Sequence, residues 1–533
     1  MKSRLPTSGL RICVLQSSYA GANHVVEGVD QDYCDPSKFT DEHVFEHRWL
    51  HKATAVEQID SILEEGFDLY LNILWGQHED GVAGIDAVKY LETKNIPIIG
   101  LPSRILERTK LDFYRDAEQA KVNVPSTGIG RCQFPVIVKP AKCCSSMYVD
   151  ETSVCSTEAE LNQQLATLNS KLEVGRKIAR EAGQPVPQKN DDIVIQEYIA
   201  GQDFSCVVVE IMDVPVALTP TIYRYPPCVE NSTYRFLTFE AKFHPELKEE
   251  LVRRSANPKL FDELQWLAVE SWKANKMTGA SWGNVDMRQR STDGKLFAIE
   301  VNPMPAVFIP NGHFEDDVIR AFPGGHPGFM NVIIETALQR YHGKSLVPTK
   351  IAAVYDKFAP TYEAAAEAGY RATGGKSRML GIDVSKGMVK LAQEDPEGPL
   401  YDDIHIGPMQ DVLSHLTGPY DHIVSLSTLH FIPPLQLSVV LARFFQLARK
   451  SVTFTVDTLT ESYNKHLEER GVPEMCGWDH TAKVEKFVKH LPPGWKIVEG
   501  HGLGLKWKSH HTEDVIQMLV YRFEKVDGEE AVF

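Results

Sequence analysis

The stretch Asn284-Val-Asp286-Met-Arg288, a turn at Ser291-Thr-Asp-Gly-Lys295, and Phe297-Ala-Ile-Glu300-Val-Asn302-Pro303 constrain this chain more than any other segment. Two extended runs joined across an Asp-Gly turn form a β-hairpin. Side chains alternate between the faces of a strand, so Glu300 and Asn302 share one face while Ile299 and Val301 point into a core. Asp286 joins Glu300 and Asn302 only if it lies opposite an even-numbered residue. That takes an odd-length loop, such as a three-residue loop at 293–295, or a bulge. In that register two carboxylates and an amide oxygen converge, a hard oxygen set suited to Mg2+ bridging nucleotide phosphates. A hairpin with a solvated acidic face is the other reading of the same residues.

The 533 residues are enough for two to four compact units. A hydrophobic share of 43% and a charged share of 24% are those of a folded globular chain. With 56 basic and 72 acidic residues the formal charge is −16, which disfavours nucleic acid and anionic membranes as partners. A phosphate ligand then needs concentrated lysines and a metal. Nine cysteines without a CxxC pair fit a reduced compartment. No signal-like apolar core and no run of about 18 apolar residues is present. A cytoplasmic protein is expected.

Short apolar runs at 11–15, 67–73 and 97–100 alternate with helical stretches at 52–65 and 84–94, the βαβ pattern of a small open α/β unit. Further strands are expected at 134–140, 194–198, 204–211, 284–290 and 296–302, with a helix end and an exposed loop over 171–190. The runs at 378–383, 420–425 and 451–456 give a second α/β domain. The expected organisation is an α/β and α+β multidomain chain: an N-terminal α/β domain over 1–108, a two-lobed domain over 109–340, a linker at 341–350, and a C-terminal domain over 351–533.

A strand ending in Val136-Ile-Val-Lys139-Pro140 carries a lysine toward an anion, and Cys143-Cys-Ser-Ser146 supplies a loop of backbone N–H groups. Lys110, at a helix start, and Lys242, in Glu240-Ala-Lys242, add two cations. Taken singly, each is as well explained as a solvated surface group. The segment Val194-Ile-Gln196-Glu197-Tyr-Ile199-Ala-Gly201-Gln-Asp203-Phe is a strand and turn whose backbone can hydrogen-bond a base while a carboxylate accepts from ribose.

In order and spacing, Lys110, the VIVKP strand, QEYIAGQDF, FEAKF and VDMR…EVN resemble the D-alanine–D-alanine ligase branch of the ATP-grasp family. Trp75-Gly-Gln-His-Glu79-Asp-Gly81 and Ile98-Ile-Gly100 extend the resemblance, which spans about residues 10–320. It implies an ATP-grasp fold and a carboxylate–amine ligase that works through an acyl phosphate. Lys110 and Lys139 would hold the ATP phosphates, Gln196, Glu197 and Ile199 would meet adenine, and Asp203 the ribose. Lys242 would reach the γ-phosphate, and Asp286, Glu300 and Asn302 would bind Mg2+ or Mn2+. Lys242, Arg288 and Ser145 are the catalytic candidates.

The chain departs from the family where Asn284 replaces an arginine that stabilises an oxyanion, and Arg288 on the same face is the expected substitute. Cys144 and Tyr148 replace glycines of the phosphate loop, Phe243 replaces a substrate-side tyrosine, and Pro305-Ala306 replaces Pro-Gly. The family's substrate glutamate has no match beside Ser17-Ser18-Tyr19. These changes point away from D-alanine, toward another amino acid or small carboxylate joined to an amine. A homodimer is compatible with this reading, and a non-catalytic nucleotide-binding scaffold is its rival.

Tyr355 to Tyr362, Gly381-Ile-Asp383 and Ser425-Leu-Ser-Thr-Leu-His430 resemble motifs of class I S-adenosylmethionine methyltransferases, in which Asp383 would bind the donor's ribose. The glycine-rich loop that lets backbone approach the ligand is missing, and Gly374-Gly375 does not replace it. A truncated Rossmann-like domain with a structural or docking role is expected in preference to one that binds S-adenosylmethionine and makes the chain bifunctional. His43-Val-Phe-Glu46-His47 matches the H-x-x-E-H pattern of inverted zinc peptidases, which requires a helix to set both histidines on one face.

Overall fold

A computed structural model describes residues 9–22, 34–78, 80–128, 130–142, 146–181, 191–303, 307–309, 315–343, 350–353, 356, 378–394, 401–498, 504–509, 512 and 514–526. Ser145, Cys144, Glu79, Pro305-Ala306, Gly374-Gly375, most of Tyr355–Tyr362 and most of the expected linker lie outside the described residues. The chain divides into two compact units, residues 9–321 and residues 322–531.

The first unit begins with a parallel sheet in the order β2-β1-β3-β4, built from β1 (Arg11–Ser17), β2 (Val44–Leu50), β3 (Leu69–Ile73) and β4 (Ile98–Gly100). The crossovers include α1 (Ala55–Glu64) and α2 (Ile85–Glu92). Both faces of β3 are buried, as its unbroken apolar run demands. β2 corrects one expectation. His43, Glu46 and His47 lie on or beside an edge strand, so the helix that the zinc pattern needs is absent there. His43 accepts from the backbone of Leu10, and His47 sits between Gln16 and Asp35.

After α3 (Ser103–Leu106), α4 (Lys110–Gln119) starts at a capping box in which Thr109 and Asp112 bond each other's backbone N–H, at 3.1 and 3.0 Å. A three-stranded antiparallel sheet follows, β6-β5-β7, from β5 (Val136–Pro140), β6 (Val154–Cys155) and β7 (Ile193–Glu197). Helix α5 (Glu158–Glu181) covers it and ends within the 171–190 interval where a helix end was expected, while the loop expected there falls on 182–190, outside the described residues. No proline or glycine cluster interrupts the sequence before Gly183, so the helix propagates.

Then come β8 (Gly201–Ile211), β9 (Val214–Ala217), β10 (Thr221–Arg224), α6 (Pro227–Glu230), α7 (Phe239–Lys242), β11 (Lys248–Leu251), α8 (Pro258–Ala274), β12 (Trp282–Arg290) and β13 (Leu296–Asn302). The strands form one antiparallel sheet in the order β11-β10-β8-β12-β13, with β9 on β8. Leu264, Leu267, Ala268 and Trp272 of α8 share a buried core with Val285, Met287, Ala298 and Val301 of the sheet.

The hairpin register is set by a bulge. Next to the turn, Gln289, Arg288 and Met287 face Leu296, Phe297 and Ala298, which is the pairing that would separate Asp286 from Glu300. Ile299 is then left unpaired, and beyond it Asp286 faces Glu300 and Asn284 faces Asn302. The carbonyl freed at Ile299 accepts the buried Tyr114 hydroxyl of α4 at 2.6 Å.

In the second unit, α9 (Asp316–Arg320) having closed the first, α10 (Gly325–His342) packs on the buried helix Pro434–Leu447. α10 thus belongs to the second unit although most of it lies within the 109–340 bounds expected for the two-lobed domain. β14 (Leu380–Asp383) pairs in parallel with β15 (Asp403–Ile406). β16 (Tyr420–Ser425) pairs in parallel with β17 (Ala448–Asp457), followed by antiparallel β20 (Val515–Lys525), which also carries β18 (Trp495–Ile497) and β19 (Gly504–Lys508).

Replacing Tyr114 with Phe removes the partner of the bulge carbonyl and leaves it buried. The variant is expected to lose about 1–3 kcal/mol in urea unfolding. Unchanged stability would mean that the carbonyl finds another donor.

Candidate active site

A cleft of about 120 Å3 lies in the first unit, walled by Lys110, Lys139, Lys242, Asp203, Asp286, Arg288 and Glu300 together with Ile137, Met147, Val149, Phe204, Phe236 and Leu237. Each charged group reaches it by a definite route. Lys139 comes from the end of β5, Lys110 from the first turn of α4, and Lys242 from the last residue of α7. Asp286 and Glu300 arrive opposite one another across the bulged hairpin.

Lys110 Nζ meets Glu300 Oε1 at 2.7 Å. Burial opposes ionisation of Glu300, but Lys110 and Lys139 outweigh it and hold the carboxyl below its ordinary value. Lys139 is buried, and the loss of hydration pushes its ammonium down to about 8, although Glu300 pulls the other way. Asp286 is pushed up to about 6, chiefly by burial and against the attraction of Lys242. Asn284 Nδ2 donates to Asp286 Oδ1 at 3.1 Å, and Asn284 Oδ1 accepts from Ser205 at 2.8 Å.

Among the described residues no group of three or more His, Cys, Asp or Glu side chains is arranged to hold a metal. The set that fits a divalent ion is two carboxylates and an amide: Asp286 opposite Glu300, with Asn302 two residues along on the same face. A cation beside Asp286 would return that carboxyl to its anionic form.

Other expected site residues are placed elsewhere. Gln196, Glu197 and Ile199 do not line the cleft. Gln196 is buried in β7, Glu197 pairs with Arg290 at 3.2 Å, and Ile199 is in the core. Asp203 lines the cleft but is engaged: Arg288 Nε lies 3.0 Å from one oxygen, and Tyr225 donates to the other at 2.6 Å. Arg288 also gives Nη2 to the carbonyls of Gly201 and Arg235, at 2.9 and 2.6 Å, so its donors are directed at the protein.

Several residues escaped the sequence reading. Tyr223 lines the cleft, and opposite it on β11 Glu249 accepts from Thr221 Oγ1 at 2.9 Å. Burial raises the carboxyls of Glu249 and Glu315, Glu249 raises that of Glu315 further, and Asp286 raises both. Period-two alternation of Thr221, Tyr223 and Tyr225 was the available signal. Lys52 gives its ammonium to the carbonyls of Gln77, His78 and Asp80, pinning the turn that follows Trp75. In that turn Gly76 and Gly84 bridge so closely that a Cβ on Gly84 would fall 1.9 Å from the carbonyl oxygen of Gly76.

No protein-family model matches the chain. It is 26% identical over 215 residues to the D-alanine–D-alanine ligase of Desulfotalea psychrophila, covering 40% of this chain and 56% of that one. It is 25% identical over 232 residues to the D-alanine–D-alanine ligase of Streptomyces avermitilis, covering 44% of this chain and 52% of that one. The chain thus spans about half the length of the curated relatives it matches. Similar solved structures are the D-alanine–D-alanine ligase from Bacillus anthracis complexed with ATP, at 18% identity, TM-score 0.42, and 63% and 100% of the two chains, and the L-amino acid ligase from Bacillus licheniformis, at 14%, 0.40, and 62% and 74%. Over about two fifths of its length the chain is thus similar in sequence to D-alanine–D-alanine ligases.

In a cleft that takes a metal–nucleotide, the reading proposed below, the two shifted groups would set a pH window. Asp286 must be ionised to take a divalent ion, so affinity for a metal–nucleotide is lost as pH falls through about 6. Lys139 must be protonated to hold phosphate, so affinity is lost as pH rises through about 8. Calorimetric titration with MgATP from about pH 5 to about pH 9.5 is expected to give a maximum between these values. In Lys139→Met the alkaline limb should vanish, and a flat wild-type profile would contradict the assignment.

Proposed function

We propose that the first unit is an ATP- and Mg2+-dependent ligase that joins a carboxylate, an amino acid or similar small acid, to an amine. The observation that carries this reading is the convergence of Lys110, Lys139 and Lys242 on Asp286 and Glu300 in one partly apolar cleft. Three cations around two carboxylates make little sense as packing, because each buried charge needs a counter-ion and hydrogen bonds. As a polyphosphate cradle they are complementary. Lys110 and Lys139 hold the phosphate chain, and Lys242 sits where the transferred phosphoryl group gathers charge. Asp286, Glu300 and Asn302 would hold Mg2+, which neutralises phosphate charge and keeps the reacting oxygens in line.

In this scheme the substrate carboxylate attacks the γ-phosphorus, ADP leaves, and the amine displaces phosphate from the acyl phosphate to form an amide. The protein's share is orientation, charge placement and exclusion of water. Homology to D-alanine–D-alanine ligases supports the reaction class. Asn284, bonded to Asp286 and Ser205, and the exposed Phe243 support a different acid from D-alanine.

For the second unit we propose a methyltransferase-like domain with a docking or structural role. The parallel pair β16-β17 followed by antiparallel β20 supports it, as does Asp383 at the end of β14, whose Oδ1 accepts from the Ser385 backbone at 2.7 Å. A cytoplasmic location fits the absence, among the described residues, of a helix long and apolar enough to cross a membrane.

Incubating the full chain with MgATP and pools of amino acids should release ADP and phosphate only with particular pairs, and mass spectrometry should then show the amide. Lys242→Ala should lower turnover about 100-fold or more. Tight ATP binding without turnover for any pair would favour a nucleotide-binding scaffold. Calorimetric titration with S-adenosylmethionine should give no heat, and micromolar binding would reassign the second unit.

A further inference from the structure

Arg288 is 6% exposed, yet it belongs to the row of β12 side chains, Asn284, Asp286 and Arg288, that faces the cleft. A buried guanidinium persists only where its donors are satisfied. Its counter-charge and its two hydrogen-bond acceptors come from two separated parts of the chain. Asp203 Oδ1, at 3.0 Å, and the Gly201 carbonyl, at 2.9 Å, lie on β8, the strand paired with β12. The Arg235 carbonyl, at 2.6 Å, lies on the segment between α6 and α7. Tyr198 donates to the same carbonyl at 3.0 Å, with its ring 5.4 Å from the guanidinium carbon. Tyr225 fixes the second Asp203 oxygen.

The segment fastened in this way matters to the cleft. Phe236 and Leu237, the two residues after Arg235, form part of its wall, and the same segment leads into α7, which ends on Lys242. One guanidinium therefore pairs with a carboxylate of the cleft wall and holds the strap that carries one of its lysines.

We propose that Arg288 is a positioning residue that couples the orientation of Asp203, and hence recognition of the nucleotide ribose, to closure of the 232–243 strap over the cleft. The proposal rests on the nucleotide reading of the cleft. An arginine suits the task because its planar fork serves a carboxylate and two carbonyls at once, which an ammonium on a flexible stem does not.

The test uses the full chain as wild type, Arg288→Met and Arg288→Lys, with Arg254→Met, an exposed arginine paired with Asp262, as control. Amide hydrogen exchange without nucleotide is expected to speed up at least about tenfold across 232–243 in Arg288→Met, to change less in Arg288→Lys, and to stay at the wild-type rate in Arg254→Met. Dissociation constants for MgATP and its 3′-deoxy analogue are then compared. The wild type should discriminate about tenfold, and Arg288→Met should bind the two nearly equally because Asp203 is no longer oriented. If Arg288→Met does not fold, the lysine variant carries both measurements.

Wild-type exchange across 232–243 in the Arg288 variants overturns the proposal. So does an equal loss of affinity for both nucleotides, which a merely structural residue would produce. A wild type that binds no ATP overturns the nucleotide reading itself, and is told apart from failure of the clamp by the exchange data, which need no nucleotide.

Discussion

The site depends on one extra residue in one strand. A β-strand alternates its side chains with a period of two, so a single-residue slip moves every side chain to the other face. Near the turn the β12-β13 pairing is in the register that keeps Asp286 and Glu300 apart, and the unpaired Ile299 shifts it just before the two carboxylates meet. Without the bulge, Glu300 and Asn302 would point into the core that Val285, Met287 and Val301 occupy, where unpaired carboxylates cost far more than the packing returns. The freed carbonyl is bonded by Tyr114, on the helix that presents Lys110 to Glu300. Bulge, helix and ion pair thus form one connected arrangement.

Electrostatics within the cleft follow from that geometry. Burial alone would discharge every group there, raising carboxyls and lowering ammoniums. Glu300, next to Lys110, stays anionic, while Asp286, with Lys242 as its main counter-charge, and Lys139 are moved toward neutrality. Asp286 and Lys139 are the two groups that a divalent ion and a phosphate would each recharge. A ligand carrying both charges satisfies the cleft better than the protein satisfies itself.

Local sequence disclosed what local forces decide. The strands 296–302 and 420–425 were legible to the residue because alternation and turn residues set their limits. The need for a bulge or odd loop followed from parity, but which of the two applies depends on how the turn closes, and Arg290 and Lys295 bond across it. The segment Val44–Leu50 reads as a strand by its β-branched and aromatic residues, a stronger signal than a five-residue zinc pattern. The Arg288–Asp203 pair was not legible, because it depends on which strand lies beside β12 and in what register. Gln196 and Glu197 were found as strand residues, but that the cleft is lined by Ile137, the β5 partner of Gln196, and not by either of them is a property of the packed sheets.

The distribution of cations bears on what has changed relative to the resembled ligases. In that resemblance an arginine stands at position 284, at the end of the strand nearest the reacting carbonyl. Here an amide stands there, bonded to Asp286, and the guanidinium lies four residues on, bound to Asp203 and the strap. The β12 face keeps one arginine but moves it from the reaction end toward the nucleotide end. In the proposed ligase reading the three lysines that would face phosphate and the bulged carboxylate pair remain, so the parts assigned to ATP would be kept while the charge nearest the joined substrates is redrawn. On that reading, a site altered in this way would keep the means to activate a carboxylate and relax the constraint on which acid and which amine it holds.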